Sequence, residues 1–468
     1  MQGPYARGMR APTSALALLL GACASPPATV VRPEVSRPNV VLILSDDHRN
    51  DHLSCAGHPV LETPHLDRLA AEGTRFLNAF VTTPICASSR ATALTGLDER
   101  SHGFTFGTPA LDEQEVARTY PVLLREAGYR TGFVGKFGLK AGAGYAERAF
   151  DTWRPMMRAP YWKEQADGSR RHVTDLIGDA SVAFVEENDP RPWCLSISFN
   201  AGHAEDHDKE DHYPWPSTED GRYEEEALPA PVLGDDAFRA LPPFLQESMG
   251  RIRWGWRWDT PEKYDRNLRA YYRLLAGMDR NVGRVLEALE RTGQLETTLV
   301  LFMGDNGYAM AERGLAGKWT HFEESLRVPL IARGPGVAVG HVDARTALNT
   351  DLAPTVLTAC GIEPGVRSGR PLQPLLGAAQ DTPWREGFRC EHGFEPGTIP
   401  RWVGWRTPRF KYARYTDQDP PFEFLHDLVA DPLETRNLAS EPAMLERLRR
   451  FRALALAKGP PVQAPLRD

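Results

Sequence analysis

Short, continuous apolar runs that alternate with helical patterns constrain this fold most. Residues 40–45 read Val-Val-Leu-Ile-Leu-Ser, and residues 298–303 read Thr-Leu-Val-Leu-Phe-Met. Such runs predict strands covered on both faces, because neither face alternates with polar residues. Apolar residues at helical spacing predict a long helix over 261–291, closed by Gly293. Strands alternating with helices predict an α/β fold, with a large, mostly parallel mixed sheet sandwiched by helices.

The pattern changes beyond about residue 380. Short strands are predicted at 402–406 and 410–415, followed by an amphipathic helix at about 442–456. The sequence therefore predicts a large α/β domain over 38–380 and a smaller C-terminal α+β domain over 381–468. The remaining predicted elements are strands at 131–134, 193–199 and 328–332, and helices at 63–73 and 121–128.

Charge and hydropathy exclude two classes of protein. The 62 acidic and 55 basic side chains give a net charge of -7, without the basic stripe that nucleic-acid binding requires. After residue 22 there is no apolar run of about 18 residues, the length needed to span a bilayer. Nucleic acid is therefore not an expected partner, and a polytopic membrane protein is excluded.

The N-terminus has the pattern of an export signal. Arg7 and Arg10 precede an apolar stretch, and Leu20-Gly21-Ala22-Cys23 resembles the lipobox of bacterial lipoproteins. The resemblance implies a signal peptide over 1–22, a lipid on Cys23 that binds the membrane, and a tether over 23–37. It implies an exported protein in the periplasm or at the cell surface, anchored in the outer membrane because no acidic retention signal follows Cys23. The alternative is a plain secretory signal.

Six cysteines in an exported chain raise the question of disulfides. Cys23 is assigned to the lipid, and Cys86 to a site described below. The other four allow three pairings or none, and the sequence assigns no disulfide among them: Cys55, Cys194, Cys360 and Cys390.

Polar pairs follow two of the predicted strands directly. Asp46-Asp47 ends the first strand, and Gly304-Asp305-Asn306-Gly307 ends the later one. Ligands bind beyond the carboxyl ends of strands in open α/β sheets, so both pairs are expected at one crevice. Carboxylate and amide oxygens suit Ca²⁺ or Mg²⁺. Either pair alone is more often a turn or a helix cap, but two of them favour a divalent-cation site.

Residues 84–96 read Pro-Ile-Cys-Ala-Ser-Ser-Arg-Ala-Thr-Ala-Leu-Thr-Gly. A cysteine at the start of a helix lies at the positive end of the helix dipole, and Arg90 follows Cys86 by one turn. These residues indicate a reactive cysteine or an anion-binding turn. The alternative is a buried structural thiol.

The same segment resembles the signature of the type I, formylglycine-dependent sulfatases of the alkaline phosphatase superfamily. In that signature Cys-x-Pro-x-Arg is followed by Leu-Thr-Gly. The resemblance extends over some 400 residues, through segments in the family's order. These are 38–41 with Asp46-Asp47, 63–70 with 73–76, 132–136, 304–307, 317–319 with 323–329, and 425–428 with 431–432 and 437–438.

The resemblance implies roles for nine residues. Asp46, Asp47, Asp305 and Asn306 would bind one Ca²⁺ ion, with Mg²⁺ as the alternative, joined by a formylglycine that a maturation enzyme makes from Cys86. Arg90 would hold the aldehyde hydrate, which attacks sulfur and later eliminates sulfate. Lys136 and Lys318 would bind sulfate oxygens, and His203 would protonate the leaving oxygen.

The sequence departs from the family pattern at two positions. Ser88 replaces the signature proline, and small residues occur there in other members. Gly138 replaces the histidine of the usual Gly-Lys-x-His segment, which contacts the aldehyde hydrate in the family. Lys140, His207 or His321 are the candidates to compensate for it.

The substrate is predicted from aromatic and basic residues in 150–260. This segment holds seven tryptophans, which suit sugar rings, and Arg251, Arg253 and Arg257, which suit anionic groups. The alternative is that the tryptophans only pack a loop-rich insertion. We therefore expect an exported sulfatase acting on a sulfated carbohydrate. The alternatives are a phosphodiesterase or phosphonate monoester hydrolase of the same superfamily, and an inactive glycan-binding surface lipoprotein.

Overall fold

A mixed sheet of eight strands forms the centre of the large domain. The computed structural model describes residues 29–106, 108–208, 210–379, 382–394 and 397–457. In spatial order the strands are His341–Asp343, Thr74–Phe76, Leu330–Arg333, Thr298–Gly304, Asn39–Ser45, Trp193–Ser198, Arg130–Gly135 and Thr152–Pro155. Leu330–Arg333 is antiparallel to both of its neighbours, and the other neighbouring strands in this sheet are parallel. The mostly parallel mixed sheet predicted from the sequence is confirmed.

The strand Asn39–Ser45 shows why a continuous apolar run is needed at the centre of this sheet. It lies between Trp193–Ser198 and Thr298–Gly304 and is parallel to both. Successive side chains point to opposite faces. Val41 and Ile43 therefore pack into one core cluster, while Val40 and Leu42 pack into the other.

Helices cover both faces of the sheet. The longest, Pro261–Arg291, has the predicted bounds, and the Thr260 hydroxyl caps it by accepting from the Lys263 backbone N–H at 3.2 Å. The other helices of eight or more residues are Pro64–Ala71, Cys86–Thr95, Val173–Glu186, Met249–Arg257, Leu352–Ala359 and Leu445–Leu456. Shorter helices span Glu99–His102, Glu113–Ala117, Tyr120–Glu126, Tyr145–Ala149, Asp235–Arg239, Pro243–Gln246, Glu323–Leu326 and Gln373–Leu376.

The C-terminal part is a four-stranded antiparallel sheet with one helix. Its strands, in spatial and chain order, are Phe388–His392, Trp402–Arg406, Phe410–Tyr415 and Phe422–Asp427. One face packs on the helix Leu445–Leu456, and side chains of the other face join a core cluster of the large domain. The predicted α+β character is confirmed, while the boundary at 380/381 stays a prediction.

The lipoprotein signal, including Arg7, Arg10 and Cys23, lies outside the described residues. The described part of the predicted tether contacts the large domain: the Arg32 backbone N–H donates to the Val337 carbonyl at 3.1 Å. Within the described ranges, no helix is both long and apolar enough to cross a membrane. The cysteines in these ranges are free thiols: Cys55, Cys86, Cys194, Cys360 and Cys390.

Candidate active site

The register of two parallel strands places the two polar pairs side by side. Ser45 pairs with Gly304, so the residues that follow them leave the sheet at the same point. The Asp47 backbone N–H donates to Asp305 Oδ1 at 3.3 Å, and Asn306 Nδ2 donates to Asp47 Oδ1 at 2.6 Å. Asp47 has a φ of 48°, in the left-handed region that few non-glycine residues adopt. Such strained residues cluster at functional sites.

The neighbouring strands bring two more candidates to this edge. Gly135 pairs with Ser198, so Lys136 and the loop that carries His203 start from adjacent strand ends. Lys136 Nζ contacts Asp46 Oδ2, and His203 Nε2 lies 3.7 Å from Asp47 Oδ2. From a segment distant in sequence, Lys318 Nζ contacts Asp47 Oδ1 at 2.6 Å.

The helix Cys86–Thr95 brings its first residue and Arg90 into the same crevice. Arg90 Nε donates to Asp305 Oδ2 at 2.7 Å, and Nη1 donates to the Lys136 carbonyl at 2.8 Å. Cys86 Sγ and carboxylate oxygens of Asp46 and Asp305 all lie within 4.8 Å of one another. The predicted location of Cys86 at a helix N-terminus is confirmed.

The structure thus brings all nine predicted site residues together. They are Asp46, Asp47, Cys86, Arg90, Lys136, His203, Asp305, Asn306 and Lys318, and the exposed fraction of each is 5% or less. Three carboxylates face three side-chain cations in this group, so the formal charges balance. Buried charges are tolerated only when paired in this way.

The pKa values of Asp46 and Asp305 are shifted in opposite directions by burial and by the charges around them. Burial alone raises the pKa of a carboxyl, but the charges of Lys136, Lys318 and Arg90 hold the pKa of Asp46 below its usual range. Burial and the negative charge of Asp46 raise the pKa of Asp305, although Arg90 opposes them. The two carboxyls therefore compete for the same positive charges, which a bound cation would relieve.

Three oxygens of the site fit a cation directly. Asp46 Oδ1, Asp47 Oδ2 and Asn306 Oδ1 are buried and have no hydrogen-bond partner among the described residues. A buried acceptor left unpaired is costly, so each such atom needs an explanation. Together with Asp305 they form an all-oxygen donor set, which hard divalent cations prefer.

A family model described as Sulfatase matches residues 38–362. The chain belongs to the sulfatase family. As a member of that family it is a sulfuric ester hydrolase. A second model, described as the C-terminal part of N-sulphoglucosamine sulphohydrolase, matches residues 311–455.

Curated relatives and a solved structure resemble the sulfatase over most of its length. The N-acetylglucosamine-6-O-sulfatase of Bacteroides thetaiotaomicron is 27% identical over 90% of this chain and 85% of the relative. The choline-sulfatase of Rhizobium meliloti is 31% identical over 87% of this chain and 83% of the relative. A solved structure in complex with its substrate D-glucosamine-2-N,6-O-disulfate superposes with a TM-score of 0.76. It is 25% identical and covers 90% of this chain and 97% of its own.

The hydrogen bonds of His203 determine its tautomer. Its Nδ1 lies 2.8 Å from the Ala204 carbonyl oxygen, which can only accept, so Nδ1 carries a proton. Burial, followed by the charges of Arg158 and Lys318, holds the pKa of His203 well below its usual range. The imidazole is therefore neutral here, with the unprotonated Nε2 facing the site, and protonating a leaving group requires a second proton at Nε2.

The two departures from the family pattern have different structural outcomes. Ser88 is buried and its hydroxyl donates to the Phe104 carbonyl at 3.1 Å, so the serine is well accommodated in the signature helix. The expected substitutes for the missing histidine are not arranged for that role. Lys140 and His207 are exposed, and His321 is buried between Tyr415 and His426.

We expect Gly138→His not to raise turnover. Gly138 has a φ of 70°, and a Cβ there would lie 3.4 Å from Lys136 Cε and 3.5 Å from Arg90 Cδ. A side chain therefore costs about 1 kcal/mol in backbone strain and contacts two residues of the site. The measurement is kcat/KM on one aryl sulfate and one sugar sulfate. Gly138→Ala is the matched control, with the same strain and no imidazole; higher activity in Gly138→His than in wild type would contradict this expectation.

Sequence reasoning missed the residues that surround the candidate acid. The Arg158 guanidinium donates to the Ala204 carbonyl at 2.9 Å and contacts Asp206 at 3.4 Å. Neither residue lies in a recognisable motif, since both are in irregular loops. Ser198, which accepts a hydrogen bond from Arg90, had a signal: it is the polar end of a buried strand.

Most of the seven tryptophans between residues 150 and 260 are buried or half-buried, as expected from the alternative hypothesis that they pack this segment. Trp193 and Trp258 are buried, and Trp256 is the most exposed of the seven, at 42%. The others are half-buried: Trp153, Trp162, Trp215 and Trp254. Their number therefore does not identify a sugar-binding surface.

Proposed function

We propose that this sulfatase hydrolyses sulfate esters of carbohydrates with a formylglycine made from Cys86 and one Ca²⁺ ion. The observation that supports it best is the group of three unpaired, buried oxygens on Asp46, Asp47 and Asn306, next to the thiol of Cys86. Relatives that act on N-acetylglucosamine 6-O-sulfate and on a glucosamine disulfate support the sugar substrate.

The formylglycine and the cation, neither of which is encoded directly by the gene, would supply distinct chemistry. The hydrated aldehyde at position 86 would supply the nucleophile that displaces the alcohol at sulfur. The cation, held by Asp46, Asp47, Asp305 and Asn306, would polarise the oxygens around it. Arg90 contacts Asp305 and lies one turn from residue 86, so it would orient the nucleophile and balance its charge.

Lys136 and Lys318 would bind the sulfate oxygens. Each of them contacts an aspartate of the cation site, Lys136 on Asp46 and Lys318 on Asp47. Burial lowers the pKa of a lysine, but Asp47 and other neighbouring anions raise the pKa of Lys318 above its usual range. The Lys318 side chain therefore stays charged in a buried crevice, where fixed cations stabilise a developing negative charge best.

We expect His203→Ala to damage the hydrolysis of sugar sulfates much more than that of activated aryl sulfates. A sugar alkoxide needs a proton as it leaves, while a nitrophenolate does not, and general acids contribute roughly 10²- to 10⁴-fold. The measurement is kcat/KM of wild type and variant on one substrate of each kind. His58→Ala, a half-buried histidine elsewhere, is the control. Equal losses on both substrates would remove the acid role from His203.

The experiment that tests the proposed function is a release screen over sulfated mono- and disaccharides, paired with the corresponding phosphate esters. We expect inorganic sulfate from at least one sugar, with much less phosphate. Faster release of phosphate than of sulfate from matched esters would instead favour the alternative hypothesis of a phosphodiesterase or phosphonate monoester hydrolase.

The cellular location is part of the proposal and rests on the sequence alone. Lipid on Cys23 would anchor the enzyme in the outer membrane, where it meets polymeric glycans. Incorporation of labelled palmitate in the wild type, and its loss in Cys23→Ala, would test the anchor.

A further inference from the structure

We propose that Arg158 and Arg253 form a second anion-binding subsite, which takes a sulfate or carboxylate carried by the leaving group of the substrate. This inference rests on the proposed function, because it predicts that the alcohol released from the sulfate ester carries a negative charge. It makes dianionic esters, such as a disulfated sugar or a sulfated uronic acid, the preferred substrates.

The subsite is built around one carboxylate with three arginines. Asp206 accepts from Arg253 Nη2 at 3.1 Å and from Arg158 Nη2 at 3.4 Å, and it also contacts Arg257. Arg257 is fully buried, and its Nη1 donates to the Tyr308 hydroxyl at 3.2 Å. One carboxylate against three guanidinium groups leaves two positive charges at this point.

Contacts place these charges on the leaving-group side of the site. Arg158 Nε and His203 Nδ1 donate to the same Ala204 carbonyl oxygen, at 2.9 Å and 2.8 Å. His203 is the residue proposed to protonate the leaving oxygen. An anionic group near Arg158 therefore belongs to the alcohol, and Lys136 and Lys318 remain for the transferred sulfate.

Arg253 also contacts the segment that carries Lys318. Its guanidinium lies 4.8 Å from the ring centroid of Trp319, the residue after Lys318. Trp319 packs in a cluster with Ile85, the residue before Cys86. The guanidinium is thereby held by stacking and by Asp206, so little side-chain entropy remains to be lost on binding.

Arg253 still has donors to offer. Arg253 Nε and Nη1 are buried and have no hydrogen-bond partner among the described residues. The side chain of Arg253 is 14% exposed and that of Arg158 is 16% exposed, whereas the side chain of Arg257 is fully buried. Each unpaired N–H group can donate a charge-assisted hydrogen bond to an oxygen of a carboxylate or sulfate. The same charge repels a cationic leaving group such as choline.

The test compares esters that differ by one negative charge. One pair is N-acetylglucosamine 6-sulfate and glucosamine 2-N,6-O-disulfate, and a second pair is 4-nitrophenyl sulfate and its 2-carboxy derivative. Choline sulfate is the cationic probe. We expect wild type to prefer the dianionic member of at least one pair, with choline sulfate the poorest substrate. A preference within the sugar pair identifies sulfate as the group that binds the subsite, and a preference within the aryl pair identifies carboxylate.

Arg253→Gln and Arg158→Gln should each lower kcat/KM for the preferred dianionic ester by about 10- to 100-fold, the range of a lost hydrogen bond to a charged group. The monoanionic partner should change less than about threefold, because it makes no contact there. Compared with Arg253→Gln, Arg253→Lys should restore part of the loss, since it keeps the charge but not the several N–H donors of the guanidinium.

Arg239→Gln is the matched control, because its side chain is 66% exposed and pairs with Asp236 on the surface. Melting temperatures of all variants separate lost binding from lost folding. Equal losses on both members of a pair, or a wild-type preference for the monoanionic esters, would overturn the subsite. Release of no sulfate from any probe would instead refute the proposed function.

Discussion

Cys86→Ala should abolish turnover, lowering kcat by roughly ten-thousand-fold or more, as expected when the nucleophile is removed. The thiol lies with carboxylates of Asp46 and Asp305 at the start of a helix whose ten residues are all buried. The change removes one sulfur atom at the edge of a polar crevice, so the fold should persist. Circular dichroism and melting temperature, measured beside turnover, check this expectation.

Cys360→Ala is the matched control for that variant. Cys360 is as buried as Cys86, at 5% exposed, but it packs in an apolar core cluster. It should cost some stability and leave kcat unchanged. Peptide mass analysis of active wild type should show an aldehyde or its hydrate at position 86. An unmodified thiol in fully active enzyme would refute the formylglycine mechanism.

Removal of divalent cations should lower activity by roughly 100-fold or more, with Ca²⁺, or Mg²⁺, restoring it. The fold should survive, because Arg90, Lys136 and Lys318 already neutralise the three carboxylates. Without the cation these lysines stay on Asp46 and Asp47 and are not free for substrate. Turnover and melting temperature before and after chelation are the measurements.

Asp305→Asn tests the same site by mutation. It removes a carboxylate that Arg90 contacts at 2.7 Å, and it should weaken Ca²⁺ binding measured by calorimetry as well as activity. Asp343→Asn is the matched control, since Asp343 is also buried and paired with an arginine, Arg345, at an edge strand of the same sheet. Full activity of a verified metal-free preparation would contradict the cation site.

The sequence was sufficient to predict the central strands of the sheet and the polar residues that follow two of them. Central strands are covered on both faces, so runs such as residues 40–45 and 298–303 must be continuously apolar, which makes them visible. Polar residues that follow two parallel strands meet at one edge, which predicted the grouping of Asp46-Asp47 with Asp305-Asn306. The long helix 261–291 was visible because its apolar residues recur at helical spacing and Gly293 closes it.

Only the tertiary structure decided the parts held by distant contacts. The strands Thr74–Phe76 and His341–Asp343 are three residues long, too short for a periodic signal, and exist because neighbouring strands pair with them. The antiparallel direction of Leu330–Arg333 follows from its pairing, since an apolar run does not encode direction. Arg158 and Asp206 lie in irregular loops and Arg253 lies in the helix Met249–Arg257, and the three meet only because the fold brings these distant segments together. Such contacts leave no local pattern, because hydrogen-bond geometry in loops is set by the whole fold.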